Sequence, residues 1–132
     1  MSERITLTVI RGSLEGKEFV FEDNAWCVIG RAEDCDIRLP RDFGQMDVSR
    51  HHCLLEIAPP SIRARDLGSL HGTYVNGESI GQRSRNQLPE EADLGSCMAH
   101  ELNSGDELQV GNTLFRVNIS VSADALQPTY FL

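Results

Sequence analysis

Hydrophobic and polar residues alternate with a period of two near the start of the chain, in Ile5-Thr6-Leu7-Thr8-Val9-Ile10 and again in Phe19-Val20-Phe21. Successive strand residues point to opposite faces, so this period predicts strands with one buried and one wetted face. Shorter runs of similar character follow in Trp26-Cys27-Val28-Ile29, Asp36-Ile37-Arg38-Leu39, 52–57, 62–66, Thr73-Tyr74-Val75, 107–110 and 114–119. Turn formers separate them: two glycines in 11–16, Pro59-Pro60-Ser61, the hairpin dipeptide Asn76-Gly77, Ser104-Gly105-Asp106 and Gly111-Asn112. Many short strands with regular turns predict an all-β sandwich or barrel. A helical signal is confined to 89–102, where Glu90, Glu91 and Asp93 follow Pro89 as in the first turn of a helix. Residues 82–103 read as a polar loop inserted between strands. The alternation stops near Ser120, which predicts one domain over 1–120 and a tail over 121–132, whose Tyr130-Phe131-Leu132 offers an apolar docking element.

At 132 residues the chain fits a single core. No run of about 18 apolar residues exists, and Met1-Ser2-Glu3-Arg4 opens no signal peptide, so a cytoplasmic location without a membrane partner is expected. Cys27, Cys35, Cys53 and Cys97 are irregularly spaced and are expected to be reduced, structural thiols. The formal charge of −8 opposes nucleic acid and anionic membranes, which require a basic face. The cations themselves are unusual, because Lys17 is the sole lysine among twelve and the rest are arginines. Arginine's planar fork of donors suits phosphate and carboxylate. Arg4, Arg11, Arg63, Arg65 and Arg116 lie on predicted strands or their ends and are expected to be solvated surface pairs.

Three other segments, all near predicted loops, concentrate glycines, hydroxyls, histidines and arginines that a strand framework does not require. They are Ile29-Gly30-Arg31, Val48-Ser49-Arg50-His51-His52 and Asp66-Leu67-Gly68-Ser69-Leu70-His71-Gly72-Thr73-Tyr74-Val75-Asn76-Gly77. In this order they resemble the forkhead-associated (FHA) family, whose pattern is Gly-Arg, then Ser-x-x-His, then Asp-Leu-Gly-Ser-x-Asn-Gly-Thr-x-Val-Asn-Gly. The likeness extends to Asp36-Ile37-Arg38-Leu39 and to 105–111, and covers about 5–119. It implies a two-sheet sandwich of about eleven strands whose loops at one end bind a phosphothreonine segment of a partner protein in Ser/Thr kinase signalling, with no catalysis and no cofactor. Arg31 matches the family's arginine, Ser49 the serine that donates to phosphate, and Arg50 a frequent third contact. Gly30, His52, Gly72, Thr73 and Asn76 match residues that shape or brace the site. A phosphate at pH 7 carries nearly two charges and three acceptors, so it needs a fixed cation and several donors. Three such bonds with backbone contacts are consistent with micromolar affinity, about −8 kcal/mol.

Two positions depart from the pattern. His71 stands where the family has asparagine, and Leu70 where a serine or threonine often helps hold phosphate. His71 is expected to contact the ligand backbone and to make affinity depend on pH between about 6 and 7.5. Leu70 removes a polar contact and gives the threonine methyl an apolar neighbour. The rival reading is an FHA-like fold that binds its partner through a phosphate-independent surface, a sheet face or the 82–103 insertion. A third keeps phosphate recognition but turns it inward, a phosphorylated Thr129 being captured by the same or a neighbouring copy of an otherwise monomeric protein. A hydrolytic set from Ser49, His51, His52, His71 and Asp66 lacks a nucleophile-elbow pattern. His51, His52, His71, Cys53 and His100 lack metal-ligand spacing, so no metal is expected.

Overall fold

The computed structural model describes residues 3–40, 48–82 and 99–121. Among them eleven strands and no helix occur: β1 (Glu3–Arg11), β2 (Glu18–Phe21), β3 (Ala25–Gly30), β4 (Ile37–Arg38), β5 (Cys53–Ala58), β6 (Ser61–Asp66), β7 (Thr73–Val75), β8 (Glu78–Gly81), β9 (His100–Glu101), β10 (Glu107–Val110) and β11 (Thr113–Val121). They form a six-stranded sheet in the order β2-β1-β11-β10-β7-β8 and a five-stranded sheet in the order β4-β3-β5-β6-β9. The all-β sandwich expected from the alternation is the observed architecture.

The alternation fills the space between the sheets. Ile5, Leu7 and Val9 of β1 face inward with Leu108, Val110, Phe115 and Val117, against Cys27, Ile29, Leu55, Ile57, Ile62 and Ala64 of the other sheet. Burial pushes the Cys27 thiol up to about 12 and raises Cys35 and Cys53 as well, so these free cysteines remain neutral at pH 7.

Register defines the two ends of the sandwich. Ile29 of β3 pairs with Cys53 of β5, which pairs with Asp66 of β6, so the loops after β3, before β5 and after β6 share one end. Thr73 joins them there, bonding Asp66 across the sheets, and it pairs with Val110, next to the β10–β11 turn. At the opposite end Glu3 of β1 pairs with Val121 of β11.

Three boundaries differ from the sequence reading. The insertion expected over 82–103 ends sooner, since His100–Glu101 pairs with Ala64 and Arg63 of β6 and Leu102 is 2% exposed in the core. A helix reaching residue 102 is excluded by the same pairing, and 83–98 with Cys97 lie outside the described residues. Val121, placed in the tail from sequence, still belongs to β11, whereas the rest of the tail, with Thr129 and Tyr130-Phe131-Leu132, lies outside the described residues. β8 was not legible as a strand because only Ile80 of its four residues is large and apolar.

Candidate functional site

Gly30 closes β3 where a second chain segment passes almost in contact. A Cβ at Gly30 would lie 2.2 Å from the Arg50 carbonyl oxygen, so any side chain there forces backbone apart. The close approach lets the two loops pair as a short ladder. The amides of Arg31 and Ala32 donate to the carbonyls of Ser49 and Arg50 at 3.1 and 3.0 Å, and the His52 amide donates to Ile29 at 2.9 Å. The Arg31 side chain is fixed at its root, Nε donating to the Val48 carbonyl at 3.2 Å, which leaves both terminal nitrogens for other partners.

His52 ties this pair of loops to the third. It is 0% exposed; Nδ1 accepts from the Ser49 amide at 3.0 Å and Nε2 lies 2.8 Å from the Gly72 carbonyl. An amide can only donate, so Nδ1 is unprotonated and the ring proton sits on Nε2. Desolvation by burial pushes the His52 pKa down, outweighing the Gly72 carbonyl and the charge of Asp66, and so keeps the ring neutral, while its two hydrogen bonds fix this tautomer. The neighbouring histidine, in the bend before β5, faces outward, and His51 Nε2 meets the Asp34 carboxylate at 2.9 Å. That hydrogen bond lowers the Asp34 pKa.

The third loop is wound around Asp66. Its buried carboxylate accepts from the amides of Gly68 and Ser69 through Oδ2, and from the hydroxyls of Ser69 and Thr73 through Oδ1. Ser69 Oγ in turn accepts from the Gly72 amide at 2.9 Å, and Gly72 adopts a φ of +89°, a conformation costly for any other residue. Buried polar groups satisfied this completely hold a loop in one shape. Asn76 anchors the following hairpin, its side chain donating to Asp106 and accepting from the Glu107 amide at 3.0 Å each.

The net brings Ser49 and Leu70 together, the Leu70 amide donating to Ser49 Oγ at 3.1 Å. With its amide, carbonyl and one hydroxyl lone pair engaged, Ser49 keeps its hydroxyl proton for another acceptor. Gln82 donates to the Leu70 carbonyl at 2.6 Å, so Leu70 is held from both sides. His71 is half-buried, and its ring forms no hydrogen bond among the described residues. Arg31, Arg50 and His51 line one depression with Ala32, Glu33, Asp34 and Arg38. Asp66, Ser69, Gln82 and Arg38 were not singled out as site residues from sequence; the Asp66-x-Gly68-Ser69 spacing carries the signature of a side-chain-capped turn, whereas Gln82 and Arg38 carry no local signal.

This geometry takes His52 and Asp66 out of the hydrolytic set considered from sequence. Both nitrogens of His52 are committed to backbone groups, and both oxygens of Asp66 are committed to its own loop, so neither serves Ser49 as a base or its orienter. Asp34, Cys35 and His51 bring ligand-type atoms within 4.8 Å of one another. The Cys35 thiol donates to the Arg50 carbonyl at 3.1 Å and His51 to Asp34, so the three act as braces of the loop.

Comparison with known proteins follows the same line. The family model for the FHA domain matches residues 27–95. The glycogen accumulation regulator GarA of Mycobacterium tuberculosis is 32% identical over 105 residues, covering 80% of this chain and 51% of GarA. The chain thus spans about half the length of that curated relative. A solved FHA domain from a study of phosphothreonine-dependent FHA interactions superposes with a TM-score of 0.65 at 25% identity, covering 92% of this chain and 100% of that one. EmbR of Mycobacterium tuberculosis, solved with a low-affinity phosphopeptide, gives 0.64 at 27% identity, covering 90% of this chain and 25% of EmbR.

Proposed function

The chain belongs to the FHA domain family, and from that footing we propose that it is a phosphothreonine-dependent interaction module that docks a phosphorylated partner in Ser/Thr kinase signalling. The observation that carries the reading is the set of donors left over once the loops have braced one another: the terminal nitrogens of Arg31 and the hydroxyl proton of Ser49, at one end of the sandwich. Arg50 adds a second permanent cation from the adjacent loop, and His71 offers its ring nitrogens to the ligand backbone. Leu70 packs beside the threonine methyl. Gly30, His52, Gly72, Thr73 and Asn76 hold these groups still, so little ordering is left to oppose binding. Similarity to GarA, to EmbR with its phosphopeptide and to the phosphothreonine-dependent FHA domain supports this use of the loops. On this reading the module acts by binding, without a catalytic step of its own, and works in the cytoplasm. No helix among the described residues is long and apolar enough to cross a membrane.

Fluorescence polarisation with matched phosphothreonine, phosphoserine and unphosphorylated peptides tests the proposal. Binding confined to phosphothreonine and lost in Arg31→Ala supports it; equal binding of the unphosphorylated peptide overturns it. One observation favours a phosphate-independent surface instead: Trp26 is 70% exposed on the outer face of the five-stranded sheet, beside a groove bordered by Ala25, Ile57 and Ala58. Under that reading Trp26→Ala, and not Arg31→Ala, removes partner binding.

A further inference from the structure

The depression beside Arg31 holds more guanidinium groups than one phosphate requires. Arg31, Arg38 and Arg50 all line it, and none of the three forms an ion pair with a carboxylate among the described residues. Of the two acidic residues on its rim, Asp34 is committed to His51. A phosphothreonine dianion is matched by two guanidinium groups, those of Arg31 and Arg50. Arg38 is the remainder. It projects from the two-residue edge strand β4, is exposed, and is held by Nε donating to the Arg31 carbonyl at 3.2 Å. Among the described residues its terminal nitrogens meet no carboxylate, and its side chain lines the same depression as Arg31, which neither Ser49 nor Leu70 lines.

We propose that Arg38 is a specificity-determining residue: the domain selects phosphothreonine segments that carry a second anionic side chain, carboxylate or phosphate, close to the phosphothreonine, and Arg38 receives that second anion. The inference rests on the phosphothreonine reading above. Arginine presents two parallel donors that match either anion, and the neighbouring guanidiniums favour negative charge in the depression as a whole. The acidic rim residue Glu33 disfavours an anion that misses Arg38, which sharpens the choice of position.

The test is a peptide set built on one phosphothreonine sequence with neutral flanks, in which aspartate, and separately a second phosphothreonine, is moved through each flanking position. Affinities are measured for the wild type, Arg38→Gln, which retains a donor toward the Arg31 carbonyl, Arg38→Glu and Arg31→Ala. The wild type is expected to prefer at least one acid-bearing peptide over the neutral one by about 5- to 10-fold. Arg38→Gln should erase that preference while leaving the neutral peptide within about twofold, and Arg38→Glu should reverse it. The aspartate and phosphate arms show which anion is used. A wild type indifferent to flanking acids, or a preference that survives in Arg38→Gln, overturns the inference while phosphothreonine binding stands. Failure of the wild type to bind any phosphorylated peptide, or of Arg31→Ala to weaken the neutral one, overturns the underlying reading and the inference with it.

Discussion

The arginines on the strand surfaces and those at the loop end have opposite electrostatic arrangements. Arg4 meets Glu22 at 2.8 Å, Arg63 and Arg65 converge on Glu56 at 3.0 and 3.4 Å, and Arg116 meets Glu107 at 3.0 Å. Arg31, Arg38 and Arg50 form no such pair among the described residues, although Glu33 and Asp34 line the same depression. Arg11, expected in the first class, is exposed, forms no ion pair among the described residues and does not line the depression. Exposed pairs contribute roughly 0–1 kcal/mol, so the strand-surface arginines owe little to stability and give up little capacity for ligands. At the loop end no such self-pairing occurs among the described residues, and three arginines line one depression on an acidic protein of net charge −8. Local arrangement, and not overall charge, decides where this molecule can accept an anion.

The largest expected effect removes the loop end while keeping its charges. Gly30→Ala sets a methyl group 2.2 Å from the Arg50 carbonyl, and a loss of about 3 kcal/mol or more in unfolding free energy is expected by urea titration. Arg31→Ala keeps the fold and should weaken a phosphothreonine peptide at least about 100-fold, or about 2.7 kcal/mol, with the thermal midpoint within about 2 °C of wild type. Acid provides a gentler probe. His52 is held neutral with its pKa below the ordinary 6.5, so the unfolded chain binds a proton that the folded chain refuses. Its contribution is complete above pH 6.5 and declines as pH falls from there toward the lowered folded value. Urea midpoints should therefore drop as pH is lowered below 6.5, and the His52 Cε1 proton shift in the folded protein should titrate at a lower pH than in the unfolded chain. The smallest effect belongs to the other side of the comparison: Arg63→Ala should change stability by less than about 0.5 kcal/mol and peptide affinity not at all, as read in the same two assays.

The strands were legible because period-two alternation is a property of neighbours in sequence, and β1, β3, β5, β10 and β11 follow it within one or two residues. β9 was not, since His100–Glu101 has two polar residues at a sheet edge and owes its place to β6. The motifs around Arg31, Ser49 and His71 could be read from their order along the chain. The Asp66 net, the hold of Gln82 on Leu70 and the position of Arg38 could not, because each joins residues whose proximity arises only when separate loops converge. His52 was expected to brace the site, but its role as a bridge with a fixed tautomer depends on two backbone groups 3 and 20 positions away.

The pairing of Glu3 with Val121 sets the first and last strands side by side at the end remote from Arg31 and Ser49. A fold so arranged behaves as a plug-in cartridge. The chain enters β1 and leaves β11 on the far side, so a junction made at either strand starts away from Arg31 and Ser49.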